Sequence, residues 1–331
     1  MKCCNKKAAI NNCEKEEEMS EKIYLETRLY NVNDRMSSLE LSEYIDRWAA
    51  EGLLGDMKPC FLPYRDSNNE LEEGELETFG DQAIFDSDMR ALKSCTGIAG
   101  YFDGIHYDSG CAFEVGCGFA WGYPVNLIST DFHKWAVGDG SEFYVGSRLL
   151  EYMATITYIA DSNSSITDYR KQQEEFKQRV FQDFKDKMIK QYSGNRAKRK
   201  PMKSLEIKYD YYIDANFKYT EAGRLLLERI ISILENNGKT YIIGDNQKAP
   251  EAELLRIQES GRPIFYDDYF EFNVDSGLLH GFAYGIGKKP IVYSSNVQRS
   301  ISGGDPQWLN VMIRFSADIA KSLKDLENLT K

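Results

Sequence analysis

Strand-like and helix-like segments alternate along this chain, and the alternation runs through twice. From Glu21, KIYLETRLY reads as a strand, and apolar positions at helical spacing follow it: Leu39, Leu41, Tyr44, Ile45 and Trp48. A polar, acidic stretch (DSNNELEEGELETFGDQ) leads to a helix at IFDSDMRALKSC, a strand at TGIAGYFDG, a helix at AFEVGCGFAWG and a strand at YPVNLIST. Parallel strands need a crossover that is usually a helix, so this order predicts a parallel sheet covered by helices. Ligands of such sheets sit outside the carboxyl ends of the strands.

Residues 161–203 interrupt the order. They are highly charged, open on Ser and Asn and close on a basic stretch with Pro201, which reads as a long connecting helix plus linker with a solvated face. The order then restarts: YYIDANFKYTEAGRLLLERIISILENNGKTYIIG gives strand, turn, long amphipathic helix, an Asn-Asn-Gly stop and strand. The stretch DSGCAFEVGCGFAWGYPVNLIST from Asp108 and DSGLLHGFAYGIGKKPIVYSS from Asp275 share the DSG, a Gly-Phe-Ala-aromatic-Gly and a Pro before a strand. An internal duplication is the reading. A length of 331 residues suits two domains, each burying its own core. The expected division is a disordered leader at 1–20, a first domain at 21–160, the charged helical linker at 161–203 and a second domain at 204–331.

Composition narrows the function. A formal net charge of −11 opposes general nucleic-acid binding, which relies on Lys and Arg neutralising phosphates. No apolar run approaches membrane-spanning length, and the polar leader lacks the apolar centre of a secretory signal, so a cytoplasmic protein is expected. Seven cysteines, an odd number, suit free thiols in a reducing compartment. Cys3, Cys4 and Cys13 lack the further ligands of a zinc site, so neither a metal nor a cofactor is expected.

The densest group of reactive side chains is Asp88, Asp108 and Glu114: Asp88 on a helix, Asp108 in the loop after a strand, Glu114 near the start of the next helix. Singly, each reads as an acidic residue complementing a helix N-terminus. Together they converge at the carboxyl end of the sheet. The stretch DSGCAFEVGCGFAWGYPV resembles the D-x-G-[TS]-x-x-E-x-G-x-A-x-x-x-G-x-P signature of nucleoside 2-deoxyribosyltransferases, and Asp88 and the strand KIYLETRLY fit the same family over about residues 22–130. The resemblance implies two flavodoxin/Rossmann-like parallel-sheet domains. It also implies that Glu114 attacks the anomeric carbon of a nucleoside or nucleotide, that Asp88 and Asp108 protonate the leaving base and hold the sugar, and that Tyr24 orients Glu114. Gly110 of the signature falls on the substrate side. This is the two-carboxylate logic of retaining glycosidases. Carboxyls crowded in a partly closed pocket should have raised pKa values, leaving one protonated near neutrality.

The chain also departs from the family pattern. Glu26, Thr27 and Arg28 stand where the family has a small or Gly-rich turn, which narrows or recharges the sugar side; Arg28 is a candidate for a 5′-phosphate or a surface ion pair. Arg65 and Asp66 fall in the loop that covers the base in the family. The family's Asn from a neighbouring subunit has its counterpart not in GSRLLEYM, where Ser147 stands, but in WLNVMIRFSAD, at Asn310. The second stretch in turn has Gly281 six residues after Asp275, with no carboxylate. The expectation is a degenerate second domain packed on the first as a pseudo-dimer, Asn310 completing the pocket of Glu114. His106, His280 and the aromatic stretches YDYY and FYDDYFEF read as solvated, packing and strand-core residues respectively. Transfer to a base or to water is the expected reaction, with NAD glycohydrolysis or a nucleotide-sensing regulatory module as the other readings. A homo-oligomer is compatible with all three.

Overall fold

The computed structural model describes residues 21–29, 31–67, 81–103, 107–130, 135–136, 142–143, 147–158, 169–193, 199–245, 249–267, 273–294 and 309–331. The leader with Cys3, Cys4 and Cys13, most of the acidic stretch after Asp66, and His106 lie outside them. In the first half the elements are β1 (Ile23–Glu26), α1 (Val32–Ala50), α2 (Pro63–Asp66), α3 (Asp81–Ser94), β2 (Gly97–Tyr101), α4 (Ser109–Ala120), β3 (Val125–Ser129), β4 (Trp135–Ala136), β5 (Glu142–Phe143), α5 (Arg148–Met153), β6 (Thr155–Tyr158) and α6 (Tyr169–Tyr192). The second half continues with β7 (Tyr209–Ile213), a 3-10 turn at Asn216–Tyr219, α7 (Glu221–Asn236), β8 (Tyr241–Ile243), α8 (Pro250–Gln258), β9 (Ser260–Tyr266), α9 (Val274–Gly285), β10 (Ile291–Tyr293), α10 (Val311–Ser316), β11 (Asp318–Ala320) and α11 (Leu323–Leu329).

The two main sheets are wholly parallel. The first runs β1-β2-β3-β6, and Phe61 extends it beyond β1: the Leu25 N–H donates to the Phe61 carbonyl at 2.7 Å, and the Phe61 N–H to the Ile23 carbonyl at 2.8 Å. The second runs β8-β7-β9-β10-β11. Numbered along each half, both orders are 2-1-3-4-5, the flavodoxin-like arrangement, with its topological switch point beside the first strand. That point is where β1 carries Tyr24 and Glu26.

Alternation along β1 sends Tyr24 to one face of the sheet, and Ile23 and Leu25 to the other. Ile23 and Leu25 pack with Leu41, Ile45 and Trp48 of α1 and with Val180, Phe181, Phe184 and Met188 of α6. The charged helix expected as a connector is therefore present, but it is the closing helix of the first sheet. The apolar residues hidden among its charges fall on one side and cover the sheet. Tyr24 and Ile98 instead join α3, α4 and α5 in a cluster that continues without a break through Phe282 of α9 to Tyr212, Phe265 and Val292 of the second sheet. Ile213, Ile264 and Ile291 pack outward on α7 and α11. Each half thus has an apolar cluster of its own, and a third, central cluster is shared by both.

Helices α4 and α9 make the junction, and small residues let their backbones touch. A Cβ on Gly116 would collide with the Leu278 carbonyl, and one on Gly281 with the Phe113 carbonyl. The two contacts mirror each other, and they fix which residues correspond. Each helix has 12 residues, N-caps Asp108 and Asn273, and a positive-φ glycine just past its end, Gly122 at 83° and Gly287 at 86°. By position, then, Asp108 corresponds to Asn273, Gly116 to Gly281 and Glu114 to Leu279. This corrects the correspondence read from the two DSG motifs, which lie two residues apart in the helices. The residue in the place of Glu114 is a buried leucine, and Gly281 is glycine because main chain occupies the space beside it.

Candidate active site

Glu114 lies on the second turn of α4 and is 7% exposed. The Tyr24 hydroxyl, fully buried on β1, donates to Glu114 Oε1 at 2.7 Å. Oε2 is thereby left to point elsewhere, and the carboxylate is held in one orientation. Burial raises the Glu114 pKa well above the ordinary carboxyl range, and Asp88, Glu26 and Asp108 add to it against the Tyr24 hydrogen bond. Asp88, half-buried on α3, is pushed up to about 7 by burial, against a lowering pull from the Ser67 hydroxyl. Tyr24 is raised by the same burial and by Glu114 and Asp88, so it remains a donor.

Asp108 caps α4. Its Oδ1 accepts the Cys111 N–H at 2.9 Å, as the N-cap position requires, and also the Asn310 amide at 3.2 Å. Asn310 itself caps α10, its Oδ1 accepting the Met312 N–H at 3.0 Å, so the side chain is fixed at both ends. A Cβ on Gly110 would stand 2.7 Å from Asn310 Oδ1, so the glycine is the gap through which Asn310 reaches Asp108. A reciprocal contact runs the other way: the Ser147 hydroxyl, at the cap of α5, donates to Asp275 of the second half.

Glu26 ends β1 on the Tyr24 side and is wholly buried, with neither carboxyl oxygen hydrogen-bonded. Burial raises it to about 8; Asp108 adds to the shift, while the Cys111 thiol and the Arg28 charge lower it. Hydrogen bonds, close approach and mutual electrostatic effects thus link Tyr24, Glu26, Asp88, Asp108, Glu114, Gly110 and Asn310. Cys111 stands among them too, missed in the sequence although it occupies the position where the signature has Thr or Ser, which was the available signal.

The other candidates lie apart from this group. Arg65 grips Asp66 through Nε and Nη2 at 2.8 and 2.9 Å, the Cys60 carbonyl at 2.6 Å and Asp46 of α1 at 3.1 Å. Asp66 also accepts the Leu62 N–H at 2.8 Å, so this pair ties the Phe61 edge to α1. Arg28 stands 3.7 Å from Asp34 and lines a cavity of about 380 Å³ between α1 and α6, with Thr27, Ser37, Thr130 and Lys177. His280 is buried, stacked on Phe265 with 5.1 Å between centroids and 2.9 Å from the Ser316 hydroxyl; burial lowers it to about 3. Tyr211 and Tyr212 of the YDYY stretch are core residues of β7, and of the second aromatic stretch Phe265 is core on β9, while residues 268–272 lie outside the described set.

Tyr212 holds the place of Tyr24, but its hydroxyl donates to Glu253 Oε2 at 2.8 Å. By register Glu253 corresponds to Asp88, and it is ion-paired with Arg256. The four described cysteines, Cys60, Cys95, Cys111 and Cys117, are free and buried. Among the described residues no group of His, Cys, Asp or Glu is arranged to hold a metal ion, and no helix is long and apolar enough to cross a membrane.

No curated protein matches this chain. The model of the nucleoside 2-deoxyribosyltransferase family matches residues 40–180, from α1 into α6 and across Asp88, Asp108 and Glu114. The matched stretch, which carries Asp88, Asp108 and Glu114, is thus similar to the nucleoside 2-deoxyribosyltransferase family.

Proposed function

We propose that the chain cleaves the N-glycosidic bond of a nucleoside or nucleotide through a glutamyl-sugar ester, passing the sugar to another base or to water. The observation that carries this reading is the 2.7 Å hydrogen bond from Tyr24 to Glu114, beside a carboxyl, Asp88, poised near neutrality. The Glu114 carboxylate forms a bond to the anomeric carbon as the bond to the base nitrogen breaks. The electron pair leaves with the base, which takes the Asp88 proton. A second base or a water then attacks the same carbon, returns a proton to Asp88 and releases Glu114. Tyr24 orients the nucleophile, while Asp108 and Asn310 hold the sugar. The second half, on this reading a duplicated copy without a nucleophile, serves the first by delivering Asn310.

Incubation with nucleosides, nucleoside monophosphates and NAD in turn, with and without an acceptor base, tests the reading. The expected outcome is release of free base and a sugar ester on the peptide containing Glu114, detected by mass spectrometry. Release of nicotinamide alone would make the chain an NAD glycohydrolase, and binding without turnover of any of the three would make it a sensing module.

A further inference from the structure

We propose that Glu26 is a specificity-determining residue that hydrogen-bonds the sugar's 2-hydroxyl, so that the pocket takes ribonucleosides in preference to 2-deoxyribonucleosides. The inference rests on the glycosyl-transfer reading of the same pocket and adds the sugar class to it.

A buried polar group left without a partner is costly, so such groups in a folded protein call for an explanation. Glu26 is fully buried, neither oxygen makes a hydrogen bond of good geometry, and the side chain beside it, the Cys111 thiol, is only a weak donor. It is not a stray core residue. It follows Tyr24 by two positions on β1 and so shares the face of Glu114, one step nearer the carboxyl edge where ligands enter. Gly100 lies opposite on β2, where a Cβ would collide with the Glu26 main-chain carbonyl and would also stand 2.9 Å from Glu26 Oε2. The matching carboxyl of the second half is treated differently. Asp214 Oδ2 receives the Ser276 hydroxyl at 2.5 Å and the Asn216 amide at 3.1 Å, which leaves only its Oδ1 unbonded. In the half with the nucleophile, that partner is missing and a ligand supplies it.

The ligand group follows from stereochemistry. A nucleophile displacing a base above the furanose ring approaches from below, where a ribose carries its 2- and 3-hydroxyls. The 2-hydroxyl adjoins the carbon under attack, and hydrogen bonds to it strengthen as the transition state develops. A carboxyl that is protonated near neutrality both donates and accepts, which matches a hydroxyl.

The test uses the full chain carrying Glu114→Gln, so that no turnover intervenes, and calorimetric binding of adenosine, 2-deoxyadenosine and 3-deoxyadenosine. Adenosine and the 3-deoxy analogue should bind at least about tenfold tighter than the 2-deoxy analogue, since a site built to bond a hydroxyl rejects the analogue lacking it. Adding Glu26→Ala should bring the adenosine to 2-deoxyadenosine ratio toward one, and Glu26→Gln, which keeps a donor and an acceptor, should retain most of it. If Glu26→Ala does not fold, Glu26→Asp, one methylene shorter, should lower the ratio in its place. Equal binding of the sugars, tighter binding of the 2-deoxy compound, a ratio unmoved by Glu26 variants, or no binding would each overturn the proposal. Steady-state turnover of the same compounds by the unmodified chain separates the two readings: binding that discriminates without cleavage defeats the glycosyl-transfer mechanism and leaves the role of Glu26 standing.

Discussion

Glu114, Tyr24, Asp88 and Glu26 are distinguished less by residue type than by what burial does to them. On the proposed mechanism, Glu114→Gln keeps the shape and the Tyr24 contact but removes the nucleophile, and should lower kcat by about 1,000-fold or more with unchanged thermal melting. Tyr24→Phe leaves the nucleophile but frees its carboxylate, so a loss of about 10- to 100-fold in kcat with a smaller change in KM is expected. In the pH profile of kcat, Asp88 at about 7 must be protonated, so the rate should fall as pH rises above that value. Glu114 must be ionised, and its raised pKa places the acid limb above the ordinary carboxyl range. The two limbs belong to the coupled cluster, and a rate that is flat from about pH 5 to 8 would argue against Asp88 as the acid. Glu26 bears on stability instead. Its folded pKa of about 8 exceeds the ordinary value of 4.5, so the fold favours its proton; that contribution is present below the ordinary value and is lost as pH rises through 8. Glu26→Gln should therefore raise Tm more at pH 9 than at pH 5. Asp108 and Glu114 were legible in the sequence because a motif carries them, and Asp88 because of its place ahead of that motif. The orphaned state of Glu26 and the internal engagement of Arg65 were not, because they depend on neighbours far away along the chain.

Elements were read from periodicity, and the outcome depended on whether burial was one-sided. Helices α1, α3, α4 and α7 and strands β2, β3 and β7 stand where the patterns predicted them. The Phe61 edge escaped notice because a single bridge leaves no alternation to see, and the six residues of α5 and of α10 are less than two turns, too few for periodicity to mark. The long α6 was visible as a helix, but not its role. Its charges outnumber Val180, Phe181, Phe184 and Met188, and only the structure shows these four on one side. Matching Asp108 to Asp275 misaligned the two halves for a related reason: the likeness lies in short polar motifs, while the packing glycines are fixed by contact. Gly116 and Gly281 mark the crossing of α4 and α9, where a methyl group has no space. Gly281→Ala should lower stability by about 2 kcal/mol or more, from overpacking against a main-chain carbonyl that cannot yield alone. Denaturant unfolding measures it. Since α4 carries Glu114, activity should fall in the same variant. Gly287→Ala offers a contrast: no atom lies within 4 Å of its Cβ, so any cost there reflects its φ of 86° and should leave activity intact.

The whole molecule is built around a junction that neither half can close alone. Every residue of α4 from Ser109 to Ala120 is buried, and much of that cover comes from α9 and from Met312 and Ile313 of α10. A fragment of residues 1–160 lacks both that cover and α6, so it exposes apolar surface on the two faces of its sheet and should not fold to the native state. A fragment of residues 1–193 regains α6, and its outer face closes over Leu41, Ile45 and Trp48. Its α4 face remains bare. Removing so much apolar contact favours association, so this fragment should run as a dimer or larger species by light scattering, with two copies meeting at α4. It would still lack Asn310, since Ser147 occupies the matching cap. Low activity is therefore expected even where the fragment folds, and residues 199–331 supplied separately should restore part of it. Within the full chain, Asn310→Ala isolates the chemical part of the argument: α10 loses one cap bond, worth about 1 kcal/mol, while Asp108 loses the amide at 3.2 Å. A rise in KM of about tenfold, with kcat changing less, is the outcome expected of a sugar-positioning contact. Full activity from a monomeric 1–193 fragment would sink the shared pocket, because that fragment contains Glu114, Asp88 and Tyr24 and lacks only what the second half provides.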